Sequence, residues 1–124
     1  MSKIIVTDKA PKAIGPYSQA VCAGGFVYTS GQIAIRPESG KVEADTIEAQ
    51  TKQVCENIKE LLSASGSGLD KVVKTTCFLR NMEDFAAFNA VYEQYFVSKP
   101  ARSCVAVREL PKNVLVEIDT VAEL

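Results

Sequence analysis

Two charged residues stand where the surrounding sequence argues for strand. Arg102 opens the apolar run 101–107, and Glu117 sits in the middle of the Val- and Ile-rich run 114–121. Taking an ion out of water costs several kcal/mol unless it is paired, so such charges need a surface, a partner or a ligand. A guanidinium can clamp a carboxylate through parallel N–H donors. A carboxylate can act as a base toward water. Both residues could equally lie on the solvated face of a half-exposed sheet, where charges are ordinary. Tyr17 follows Gly15-Pro16, a pair that punctuates loops, so its phenol either points into a cleft or caps a sheet edge. Gly31, just past a strand, either lets a backbone N–H approach a ligand or only bends the chain.

The 124 residues contain no histidine. That removes Ser-His and Cys-His nucleophilic pairs and the commonest metal ligand. Acid-base chemistry near neutral pH then falls to carboxylate, tyrosine, lysine, thiol or water. The four cysteines, Cys22, Cys55, Cys77 and Cys104, form no C-x-x-C pair and lie among apolar neighbours. They read as small buried hydrophobes in preference to disulfides or metal ligands. A net charge of −1 argues against a nucleic-acid surface as the main business. The apolar fraction of 47% and charged fraction of 23% suit one soluble domain spanning 1–124. With no apolar run near membrane length and a start too short for a signal peptide, the expected location is the cytoplasm.

The elements that must position these groups follow from periodicity and turn chemistry. Residues 3–6 read as a first strand. Residues 20–30 read as a hairpin, because Gly24-Gly25 supplies the positive φ of a tight turn. The first helix is expected over 45–65, with Asp45 and Glu48 at capping-box spacing and Gly66 at its end. Ile47, Gln50, Val54, Ile58, Leu61 and Leu62 form its inner stripe. The Ser65-Gly66-Ser67-Gly68 stretch lacks Walker spacing and is no phosphate cradle. Residues 72–79 read as a β-branched strand. Residues 81–96 read as a second helix, with Phe85, Phe88, Tyr92 and Tyr95 as core and Asn89 at the stripe's edge, able to bond a ligand.

The last two runs, joined through Leu110-Pro111-Lys112-Asn113, read as a β-hairpin. A turn centred between Pro111 and Lys112 sets Ala106 opposite Glu117 and Arg102 opposite Val121. Arg102 and Glu117 would then share a face, about 13 Å apart along the ladder. A one-residue slip would separate them. The whole reads as α+β, a two-layer sandwich of one mixed sheet with two helices on one face. Several strands carry apolar residues at both parities, which favours an oligomer.

Five stretches now fall in register: Ile14-Gly15-Pro16-Tyr17, Thr29-Ser30-Gly31-Gln32, Asn89 within Phe88-Asn89-Ala90-Val91-Tyr92, Pro100-Ala101-Arg102-Ser103 and Val116-Glu117-Ile118. Together they closely resemble the RidA branch of the YjgF/Rid family over essentially the whole chain. The resemblance implies a chorismate-mutase-like fold, a homotrimer with sites between subunits, and no metal or organic cofactor. The implied activity is hydrolysis of enamine and imine acids, above all 2-aminoacrylate, to 2-oxo acids and ammonia. It implies that Arg102 holds the substrate carboxylate and Glu117 activates water and shuttles the proton. It assigns Tyr17, Ser30 and Asn89 to orientation, with the backbones of Gly31 and Cys104 completing the pocket. The segment Phe96-Val97-Ser98-Lys99-Pro100 departs from the family, being short and carrying Lys99 where relatives often have an aromatic. The other class open to this family is a metabolite-binding regulator or an RNA-cleaving translation inhibitor, and the chain's mild acidity weighs against RNA.

Overall fold

A computed structural model of the chain describes residues 2–124. The strand β1 (Lys3–Ile5) pairs antiparallel with β2 (Ala20–Ala23), which turns back into β3 (Phe26–Thr29). Gly24 and Gly25 make that turn at φ of 60° and 85°, the left-handed pair that matches strand twist. A short ribbon, β4 (Ile35–Arg36) and β5 (Lys41–Val42), leads into α1 (Ile47–Ala64). The expected inner stripe of α1 is buried throughout. Its N-cap is Thr46, whose Oγ1 accepts from the Ala49 N–H at 3.1 Å. The Asp45–Glu48 capping box does not form: burial of Ile47 fixes the first helical residue, and the adjacent Thr46 takes the orphan donor. At the other end, the Ser67 N–H reaches Leu62 O at 2.8 Å and the Gly66 N–H reaches Ser63 O at 3.1 Å. This is a Schellman closure with Gly66 at φ 82°.

The strand β6 (Val72–Leu79) is followed by a 3-10 turn (Met82–Asp84), α2 (Phe85–Tyr95), β7 (Ala101–Ala106) and β8 (Val116–Glu123). The sheet order is β1-β2-β3-β8-β6-β7, with β6 and β7 parallel and every other pair antiparallel. Both helices pack on one face. Val54, Ile58 and Leu62 of α1 and Phe88 of α2 meet Val27, Cys77, Leu79, Val116 and Ile118 of the sheet in one buried cluster. Burying each large aliphatic or aromatic side chain there contributes roughly 1.5–3 kcal/mol.

The expected terminal hairpin does not form. Leu79 pairs with Ala106 on one side and with Val116 on the other, so β6 lies between β7 and β8. The reason is topological. A strand–helix–strand unit returns parallel, which sends β7 to the outer side of β6. The alternate residues of β8 are fully buried, so it takes the interior place between β3 and β6, whereas β7 stays largely exposed. Of the two placements left open for Arg102 and Glu117, the structure has them on opposite faces. Arg102 pairs with buried Thr75 and points to the helix side, whereas Glu117 pairs with Phe78 on the uncovered side.

Thr46→Ala should cost about 1 kcal/mol in chemical denaturation, with Asp45→Ala close to neutral. Equal losses from the two substitutions would return the cap to Asp45.

Candidate functional site: two clefts on opposite faces of the sheet

The first cleft, of about 590 Å³, has Tyr17, Ser30, Gly31 and Glu117 in its wall, with Lys12 and Lys112 also lining it. Its base is built by backbone pairing. Just past β3, Gln32 and Ile118 exchange bonds, N–H to O at 2.8 and 3.1 Å, which lays Gly31 beside Glu117. A Cβ built on Gly31 would overlap Oε2 of Glu117 and lie 2.9 Å from its Cδ. Glycine is required here for close approach and not for its φ. Ser30 is fixed twice, its N–H on Gln19 O at 2.9 Å and its Oγ donating to Ser18 O at 2.6 Å. Tyr17 is 49% exposed, and its ring packs 3.4 Å from the position of a Cβ on Gly15.

Gln19, which sequence reasoning passed over, organises the loop that carries Tyr17. Its buried amide accepts from Thr7 N at 2.8 Å and donates to Thr7 O at 3.0 Å and to Pro11 O at 2.7 Å. A glutamine immediately before a strand, following Gly-Pro-Tyr-Ser, was the available signal. Substituting an apolar group would leave several buried backbone groups unpaired.

Glu117 is half buried, and its carboxyl is held above the ordinary carboxylate range, first by burial and then by the neighbouring charge of Asp119. Arg102 lies on the other face of the sheet.

The second cleft, of about 650 Å³, contains Arg102, Asn89, Tyr92, Phe96 and Lys99. Arg102 Nη1 donates to Asn89 Oδ1 at 2.7 Å, and the guanidinium carbon stands 4.8 Å from the Tyr92 ring centre and 5.4 Å from that of Phe85. Aromatic faces and a neutral amide stabilise the cation without neutralising it. The ion pairs found among the described residues are those of Arg36 with Glu38 and Glu43, so no carboxylate occupies Arg102. Its remaining fork is open to an anion. Lys99 holds a left-handed backbone at φ 52°, a conformation that side chains other than glycine rarely take.

Cys104 lies two residues beyond Arg102 on the same face and is half buried. Burial raises its thiol pKa and the Arg102 charge pulls it down, with burial the larger influence. All four cysteines are free, and Cys22, Cys55 and Cys77 are buried. Among the described residues no group of three or more His, Cys, Asp and Glu could hold a metal, and no helix is long and apolar enough to cross a membrane.

Of the expected site residues, the structure brings Tyr17, Ser30, Gly31 and Glu117 to one cleft. Arg102 and Asn89 meet at the other, with Cys104 along the same strand face.

These features define a class: a histidine-free α+β protein with a carboxylate cleft and an arginine cleft backing onto one sheet. A family model described as Endoribonuclease L-PSP matches residues 7–124. The chain is 47% identical over 126 residues to the 2-iminobutanoate/2-iminopropanoate deaminase of Escherichia coli, covering 98% of each chain. It is 52% identical over 123 residues to a Lactococcus lactis protein named for a regulator, AldR, again covering 98% of each. The crystal structure of Escherichia coli TdcF with bound serine superposes with a TM-score of 0.93 at 43% identity, over 98% of each chain. This chain belongs to the YjgF/Rid family.

Two outcomes follow from the first cleft. Gly31→Ala should fold normally, because the obstructing atom is the end of a flexible side chain, and should expel the Glu117 carboxylate from its seat. A crystal structure of the variant with Glu117 unmoved would overturn the close approach. The raised carboxyl of Glu117 also links pH to stability. The folded state binds its proton more tightly than the unfolded state, so this contribution is fully present below the unfolded pKa and is lost as pH rises through the folded one. Glu117→Gln, always neutral, should therefore stabilise the protein at neutral pH and lose that advantage in acid. Denaturation curves at several pH values would show a constant difference if the linkage were absent.

Proposed function

We propose that this protein is a cofactor-independent deaminase that hydrolyses 2-aminoacrylate and related enamine and imine acids to 2-oxo acids and ammonia. The observation that carries this reading is Glu117, a half-buried carboxylate at a cleft wall held toward its protonated form. A base for water works best when its pKa lies near the working pH. The name of the 47%-identical Escherichia coli relative and the serine bound to the 43%-identical TdcF support an amino-acid-like substrate.

The chemistry asks little of the protein. The enamine tautomerises to an imine, and protonated nitrogen activates the adjacent carbon. Glu117 takes a proton from water as its oxygen bonds to that carbon. Glu117 then returns the proton to the carbinolamine nitrogen and takes the hydroxyl proton as the C–N bond breaks, which gives the 2-oxo acid and ammonia, and ammonia or solvent water carries that last proton away. The open fork of Arg102 takes the substrate carboxylate, Asn89 fixes the fork, and Tyr17, Ser30 and the Gly31 backbone orient substrate and water. Cys104 contributes its backbone and keeps its thiol protonated.

One chain cannot perform this alone, because its Arg102 and Glu117 face away from each other across the sheet. The active assembly is a homotrimer in which the arginine cleft of one subunit closes on the carboxylate cleft of the next. Ile4, Tyr28 and Val105 on the uncovered sheet face, all more than 45% exposed, supply apolar surface for that contact. The reaction is placed in the cytoplasm, with no nucleic acid or membrane as a main partner.

Arg102 meets a carboxylate present in both ground and transition states. Arg102→Ala should therefore weaken calorimetric binding of a stable 2-oxo acid as well as turnover. Glu117→Gln should spare that binding and lower kcat by roughly 10²- to 10⁴-fold. Light scattering should give three times 13.4 kDa. Co-refolding equal amounts of the two inactive variants should restore about a quarter of wild-type turnover, since that share of random interfaces combines an intact Arg102 with an intact Glu117. No restoration in a trimer would place both groups in one subunit and refute the shared site.

A further inference from the structure

A second carboxylate accompanies Glu117. Asp119 follows it by two residues on β8, so both side chains leave the same, uncovered face. Their surroundings differ. Asp119 pairs across the sheet with Thr76, and Lys74 lies two residues further along β6 on that face. Glu117 pairs with Phe78 and lies against the Gly31 backbone, and neither carboxylate makes an ion pair among the described residues. The other titratable groups facing Glu117 are Tyr17 and Lys12 from the N-terminal loop and Lys112 from the turn before β8, all in the cleft wall.

We propose that Asp119 is a positioning residue for Glu117: a fixed negative charge on the same face of β8 that sets the pH at which Glu117 gains and loses its proton. Two carboxylates in unlike environments divide the work of one site. The one with a hydroxyl and an ammonium opposite it on the neighbouring strand keeps its charge to lower pH, and the one facing an aromatic ring carries the proton. The direction in which burial and Asp119 move Glu117 agrees with this division. Burial raises the Asp119 carboxyl too, and Thr76 and Lys74 draw it part of the way back. Lys74 also donates to Ser103 Oγ at 3.4 Å, which holds its ammonium over this face. The inference deepens the deaminase reading, which supplies the reason for Glu117 to titrate near working pH.

The test is a carboxyl-carbon NMR titration of glutamate-labelled protein, with Glu117 assigned by its loss in Glu117→Gln, together with kcat/KM against pH for an imine generated in place. Asp119→Asn should move the Glu117 midpoint and the acidic limb of the rate profile to lower pH. It should also lower the plateau by about 2- to 10-fold, because the base is weaker. Asp119→Glu should restore both. Lys74→Met, which removes the compensating cation, should move both the opposite way. A residue with only a structural role would lower the rate at every pH and leave the limb in place. An unmoved midpoint in folded Asp119→Asn would overturn the proposal. Were that variant not to fold, an unmoved or downward midpoint in Lys74→Met would overturn it instead. A shifted midpoint without imine turnover would sink the deaminase reading and leave the carboxylate pairing intact.

Discussion

The insertion of β8 between β3 and β6 is the constraint on which the rest depends. It joins the first hairpin to the β6-α2-β7 unit, and its alternating residues divide the molecule's chemistry. Val116, Ile118 and Thr120 fill the core, while Glu117 and Asp119 face outward. The backbone of Ile118 also holds Gln32, and through it Gly31, against the Glu117 side chain. A single strand thus closes the core, presents the carboxylate and fixes the backbone beside it. Moving β8 by one residue would exchange core and cleft.

The electrostatic design is one of separation. Arg102 is held by aromatic faces and an amide oxygen, and the thickness of the sheet keeps it from Glu117. Were the two charges to meet within one chain, they would neutralise each other and bind little else. Held apart, each keeps an unmet demand, the guanidinium for an anion and the carboxylate for a proton. The apolar core behind both cannot satisfy either.

Much of this was legible in the sequence. The Gly24-Gly25 turn, the α1 stripe and the two-layer arrangement follow from local periodicity and glycine chemistry. The residues that gather at the two clefts, Tyr17, Ser30, Gly31 and Glu117 at one and Asn89 and Arg102 at the other, all lie in the five stretches in register. Three things were not. Strand pairing is non-local, so the turn at Pro111 suggested a hairpin that the parallel return of β7 forbids. Thr46 and Asp45 offer equivalent capping chemistry, and only packing of Ile47 decides between them. Gln19 and Asp119 are ordinary polar residues until the fold shows that one pins Thr7 and Pro11 and the other shares a face with Glu117.

The state of the thiols bears on self-preservation. An electrophile that enters a cleft threatens first the nucleophiles of the protein itself. Sulfur attacks as thiolate. Here burial pushes the Cys77 thiol up to about 12 and raises Cys55 and Cys104 as well. At neutral pH these sulfurs stay protonated and unreactive, and the chain carries no imidazole to be modified in their place. The same packing that stabilises the core thus keeps these sulfurs quiet toward electrophiles.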